Sequence, residues 1–127
     1  MVERDRSVYV PADWPDAVSP PGTQDWVDTA VAWLLDVLPS DYRVYAVLRR
    51  HPAALVSMAR YYACASLEGA RRGYRTARTE LAESVPPHAV DGVLAAYRTE
   101  GYKLAATARA VELVERALRG QDLASRG

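Results

Sequence analysis

A chain of 127 residues with one cysteine, two histidines and sixteen charged side chains of each sign is one domain's worth of sequence, long enough to bury a core without disulfides or a structural metal. Cys64 has no second cysteine to pair with, which excludes an intramolecular disulfide framework. The net charge of zero argues against a domain that works by bulk attraction to nucleic acid.

The N-terminus, Met-Val-Glu-Arg-Asp-Arg, is charged and leads into no apolar stretch, so no secretory signal is read there. The most apolar run, Val27 to Leu38, is interrupted by Asp28 and Asp36 and is too short to span a bilayer. A cytoplasmic protein without membrane contact is expected.

Residues 1–22 form a proline-rich arm, with Pro11, Pro15, Pro20 and Pro21 spaced so that neither a helix nor a central strand can persist. Extended or polyproline conformation is expected, with Tyr9, Val10 and Trp14 as apolar anchors. The arm has two candidate docking surfaces, its own domain and a partner protein, and the first is favoured. Thr23 is placed to cap a helix from Gln24 to Leu38, with Asp25 and Asp28 in its first turns and Pro39 ending it. Ser40 can cap a short third element, Asp41 to about Arg50, with Tyr42, Tyr45 and Leu48 facing the core.

Two long helices follow, expected over about 52–84 and 87–119, each about 33 residues or roughly 50 Å long. Pro52 and Pro87 suit first helical positions, and Pro86 pushes Val85 out of the helical region. In the first helix Leu55, Ala59, Ala63, Leu67, Ala70, Tyr74, Ala77 and Leu81 recur at three- and four-residue spacing. In the second, Val90, Leu94, Tyr97, Gly101, Leu104, Ala108 and Val111 do the same. This pattern predicts a long antiparallel hairpin with a shared seam, in which residues whose numbers sum to about 172 face each other. The fold class is therefore all-α, four helices dominated by that hairpin, with one helical domain over 23–119 and a flexible tail over 120–127.

Glycine inside a helix is about 1 kcal/mol less favourable than alanine, so Gly69, Gly73, Gly92 and Gly101 call for a reason. Close backbone approach, or room for a tyrosine ring from the opposite helix, is the expected one. A ligand slot lined by Tyr74, Tyr97 and Tyr102 is the sharper alternative.

Charge is segregated along the chain. Residues 1–41 carry eight acids and two bases, and residues 42–79 one acid and eight bases. Arg71, Arg75 and Arg78 fall on one helix stripe, with Arg72 beside it. Three readings compete for this candidate interaction surface: pairing with the acidic first helix and with Glu100, docking of an acidic partner protein, or binding of phosphate or nucleic acid. Arg43, Arg49 and Arg50 do not make a convincing recognition helix, because the preceding turn holds Pro39 and no glycine.

No catalytic constellation is legible. His51 and His88 start the two long helices and so lie at opposite ends of the hairpin, out of reach of a shared metal. Glu80/Glu83 and Glu112/Glu115 lack the histidines of a di-iron bundle and read as solvated faces. No phosphate loop, nucleophile elbow or Cys-x-x-Cys is present, so no cofactor or metal is assigned. The expectation is a non-enzymatic interaction or regulatory module with a protein partner. A homodimer could form through a second apolar stripe, Val93, Ala96, Ala110, Val114 and Ala117. Nucleic-acid binding through the arginines and small-molecule sensing at the tyrosines follow as alternatives.

Overall fold

A computed structural model describes residues 10–121 and 123. It is all-helical over those residues: α1 (Trp26–Val37), a 3-10 turn (Ser40–Val44), α2 (Ala46–Arg50), α3 (Pro52–Glu80) and α4 (Pro87–Leu118). The two long helices pack against each other as the hairpin the periodicity predicts. Pro52 and Pro87 both stand at the first positions of their helices, where the missing N–H had no partner to lose.

The hairpin is packed unequally along its length. At the base, α1, α2 and the arm close around α3 and α4 in one core that includes Trp14, Val18, Leu34, Leu48, Leu55, Val111, Leu113 and Val114. At the tip a smaller cluster of Ala77, Val90 and Leu94 is flanked by Leu81, Val85, Val93 and Tyr97. Between the two, α3 buries only Ala70 from Cys64 to Thr76, and α4 buries nothing from Ala95 to Arg109. The middle of the hairpin is thus a two-helix stalk joining a head to a small tip.

Tyr9 lies outside the described residues; from Val10 onward the arm belongs to the head, but not as an extended strand. Three turns follow its prolines, closed by backbone bonds from Trp14 to Pro11, Val18 to Pro15 and Thr23 to Pro20. A proline carbonyl is still an acceptor, so each proline can open a turn while forbidding a helix. These turns bury Trp14, whose indole N–H donates to the Val18 carbonyl at 2.8 Å and whose ring lies 6.2 Å from that of Trp26. The Thr29 hydroxyl accepts from the Ser19 N–H at 2.9 Å and ties the arm to α1.

Several expected boundaries shift. The first helix begins at Trp26, because the Thr23 hydroxyl donates to the Pro20 carbonyl and closes the arm's last turn rather than capping a helix. The third element divides at Tyr45, whose backbone is extended; Leu48 is buried but Tyr45 is exposed. Helix α3 ends at Glu80, and turns carry the chain to Pro86. Glu80 and Glu83 oppose the negative end of a helix dipole, which favours that early stop. After α4, Gly120 takes φ +75° and the Gln121 N–H reaches back to the Arg116 carbonyl at 2.9 Å. This glycine-closed C-cap turns the chain so that Leu123, in the stretch read as a tail, is buried in the core of the head.

The second apolar stripe divides along the same lines. Ala110 and Val114 are buried and Ala117 packs on the core of the head, so those positions are already covered; at the distal end Ala96 is exposed and Val93 half-buried.

Candidate functional site

On the stalk, positions 98, 102 and 105 of α4 recur on one side of the helix, and positions 71 and 75 of α3 lie beside them. Together they border an open groove of about 410 Å³ lined by Arg71, Tyr74, Arg75, Tyr97, Arg98 and Tyr102, with Ala70, Gly101 and Ala105 as its floor. The groove gathers the three tyrosines singled out from the sequence and two of the four arginines. It adds Arg98, which sequence reasoning passed over although the pairing rule of about 172 sets it opposite Tyr74.

Gly73 and Gly101 have different roles here. A β-carbon at position 73 would collide with the ring of Tyr97, so the missing side chain is what lets that tyrosine lie across the seam. At Gly69, Gly92 and Gly101 a β-carbon would meet nothing. Room for a ring therefore explains one of the four helical glycines, and for the other three the structure offers no packing reason.

The Arg98 guanidinium lies 5.7 Å from the Tyr74 ring centroid and donates a long bond, 3.4 Å, to its hydroxyl. That bond, and then the charge of Arg98, hold the Tyr74 phenol below its ordinary pKa. Tyr102 is 72% exposed at the outer rim. Arg75 lies 3.8 Å from Glu68 and Arg78 lies 3.8 Å from Asp91, all on well-exposed side chains. Pairs of that kind contribute under about 1 kcal/mol each. The side chains of Arg71 and Arg72 make no ion pair or hydrogen bond among the described residues.

Neither intramolecular pairing expected for the stripe occurs. Glu100 pairs with Lys103 at 3.1 Å, one turn away on its own helix, instead of with Arg71 or Arg72. Helix α1 packs at the base and on the opposite side: Trp33, Asp36 and Val37 border a cleft with Tyr62, Ala63, Leu104 and Thr107. Thr107 lies on the side of α4 that carries Val93 and Glu100, away from Arg98 and Tyr102. Asp36 is taken up by Arg43 within the head.

At the base Glu115 is buried, against the expectation of a solvated face, and lies 3.0 Å from both Arg60 and Arg119. It joins α3 to the last turn of α4. The Arg60 Nε nevertheless lacks an aligned acceptor, so its contact with Glu115 is an ion pair rather than a hydrogen bond; its guanidinium also stands over the Tyr61 ring at 4.5 Å. Cys64 is exposed. His51 and His88 fall at the base and tip of the hairpin. Among the described residues no three of His, Cys, Asp or Glu come together as a metal site, and no helix is long and apolar enough to cross a membrane.

Comparison of the chain with models of protein families, with curated proteins and with solved structures gives no match in any of the three.

Proposed function

We propose that this protein is a non-enzymatic protein-interaction module and that the arginine- and tyrosine-lined groove of the stalk is its binding surface. The observation that carries this reading is the arrangement of Arg71, Arg75 and Arg98 around exposed rings, with Arg71 left without a partner among the described residues. Arginine and tyrosine suit an interface: each brings a large contact area, and the guanidinium offers a planar fork to a carboxylate. An acidic protein segment is the fitting occupant.

The test is affinity capture from the native host with the intact chain and with Arg71→Gln/Arg75→Gln/Arg98→Gln, each with and without nuclease. The expected result is an interaction, with another protein or with the chain itself, that survives nuclease and disappears in the triple variant. Capture lost with nuclease would move the groove to nucleic acid. Identical capture by both forms would remove it as a binding surface.

A further inference from the structure

The occupant of the groove can be named from the distribution of charge over the chain's own surface. From residue 10 to residue 41 the chain carries six aspartates and no lysine or arginine. Asp36 is paired with Arg43 and Asp13 with Arg109, whereas Asp16, Asp25, Asp28 and Asp41 are exposed and make no ion pair or hydrogen bond by their side chains among the described residues. The stalk holds the complementary surplus in Arg71, Arg72, Arg75 and Arg98.

The contact between Asp13 and Arg109, 3.6 Å, places the two charges in relation. Arg109 follows Arg98 by eleven residues, three turns of helix, so it projects from the groove side of α4 about 16 Å nearer the head. The acidic arm therefore reaches the same side of the hairpin as the basic groove, displaced along it. Within one chain the arm cannot bridge that distance, because Trp14 and Val18 fix it in the core.

A second chain can bridge it. A two-fold axis lying in the plane of this side and at right angles to the hairpin, at the level midway between Arg98 and Arg109, sets two hairpins face to face and antiparallel and brings each groove onto the other's arm. Both contacts form at once, as an isologous interface requires. Tyr102, the most exposed of the groove's rings, lies near the axis, where the two copies would bring these rings together. We infer that the groove receives the Asp13–Asp16 segment of a second copy of this chain, making an antiparallel, charge-complementary homodimer. This inference rests on the groove being the binding surface and supplies its partner.

The experiment is light scattering and sedimentation on the full chain and on two charge-reversed forms, Arg71→Glu/Arg75→Glu and Asp13→Arg/Asp16→Arg. The wild type is expected to move from the 14.0 kDa chain mass toward twice that value as concentration rises through tens of micromolar, roughly. Raising salt from about 0.05 M to about 0.5 M is expected to weaken association tenfold or more. Each reversed form alone places like charges at both contacts and is expected to stay monomeric. Mixed together, the two restore attraction at both contacts, and a heterodimer is expected. Circular dichroism verifies folding, and Asp16→Arg alone replaces the double change if the loss of the contact between Asp13 and Arg109 disturbs the arm.

A wild type that stays monomeric at about 100 µM in low salt overturns the inference, as does a dimer indifferent to both reversals or a mixture that fails to associate. A monomeric chain that captures another protein in a groove-dependent way overturns the homodimer while leaving the groove as the binding surface. Interactions indifferent to every groove substitution overturn both.

Discussion

Tyr97 of one long helix occupies the space that a side chain at position 73 of the other would need. The relationship locks the register of the stalk where few other buried residues do so. Gly73→Ala would gain up to about 1 kcal/mol of helix propensity but force the ring aside, an overpacking penalty of about 1–3 kcal/mol. Net destabilisation of up to about 2 kcal/mol is expected from denaturant unfolding, and Tyr97→Ala in the same chain should relieve the clash while forfeiting the ring's own packing.

The other helical glycines give the opposite expectation. Gly69→Ala, Gly92→Ala and Gly101→Ala each place a methyl in open space on a helix, so each should stabilise by about 0.5–1 kcal/mol. Thermal melts of the three single variants would check this. A fall in stability at Gly101 would show that its surroundings are tighter than the structure has them.

Trp14 tests whether the arm is part of the core. Its ring is buried and its indole N–H satisfies the Val18 carbonyl. Trp14→Ala should therefore cost about 3–5 kcal/mol, the range of a buried aromatic truncation, and not the few tenths of a surface arm. Trp14→Phe should lose less, since it keeps most of the apolar volume and leaves one acceptor unpaired. Urea unfolding of both variants separates the two contributions.

The long hairpin was legible because its signals are local and repeated: apolar spacing along each helix, proline at each first position, and a register fixed by folding at Pro86 and Pro87. Tyr74 and Tyr97 could be brought together by counting. What could not be read depended on which side of the hairpin the head would cover. Charge alone pairs the acidic first helix with the arginine stripe, yet α1 lies on the other side of the hairpin, where Trp33, Asp36 and Val37 border a cleft with Tyr62, Ala63, Leu104 and Thr107, and charge follows packing. Glu115 misled for the same reason, since its polarity says surface and the approach of Arg60 from α3, with Arg119 one turn on, makes its burial tolerable. The turns of the arm were missed because proline spacing excludes helix without choosing between extended chain and turns.

The pairing of Tyr74 with Arg98 predicts a titration. Hydrogen bonding from Arg98, and then its charge, favour the phenolate, so Tyr74 ionises below the ordinary value of 10.0. For a group whose folded pKa is lowered, the linked stabilisation is present above the unfolded pKa and fades as pH falls through the folded one. Below both pKa values the phenol is protonated in both states and contributes nothing. Phenolate absorbance should show an early step that Tyr74→Phe removes and Arg98→Gln moves to higher pH. An alkaline titration unchanged by Arg98→Gln would show that the guanidinium does not face this ring in solution.

The stalk should open without the head unfolding. Local stability follows buried apolar contact, and the two ends of the hairpin differ in it: the head core draws on the arm, α1, α2, α3 and α4, whereas the tip holds only Ala77, Val90 and Leu94 as fully buried residues. Between them the helices rest on Ala70 and on half-buried Leu67, Tyr97, Leu104 and Ala108. Antiparallel helices joined by a short turn can separate there while the head stays closed. Native-state hydrogen exchange should therefore give amides from Leu67 to Ala77 and from Leu94 to Ala105 lower opening free energies than amides from Leu55 to Ala59 and from Val111 to Val114. If the groove is a binding surface, its occupant would bridge α3 and α4 where the hairpin is weakest, and protection in the stalk should rise with chain concentration as the proposed dimer forms. Uniform protection from base to tip would show that the seam of small residues holds the hairpin as firmly as the head core does.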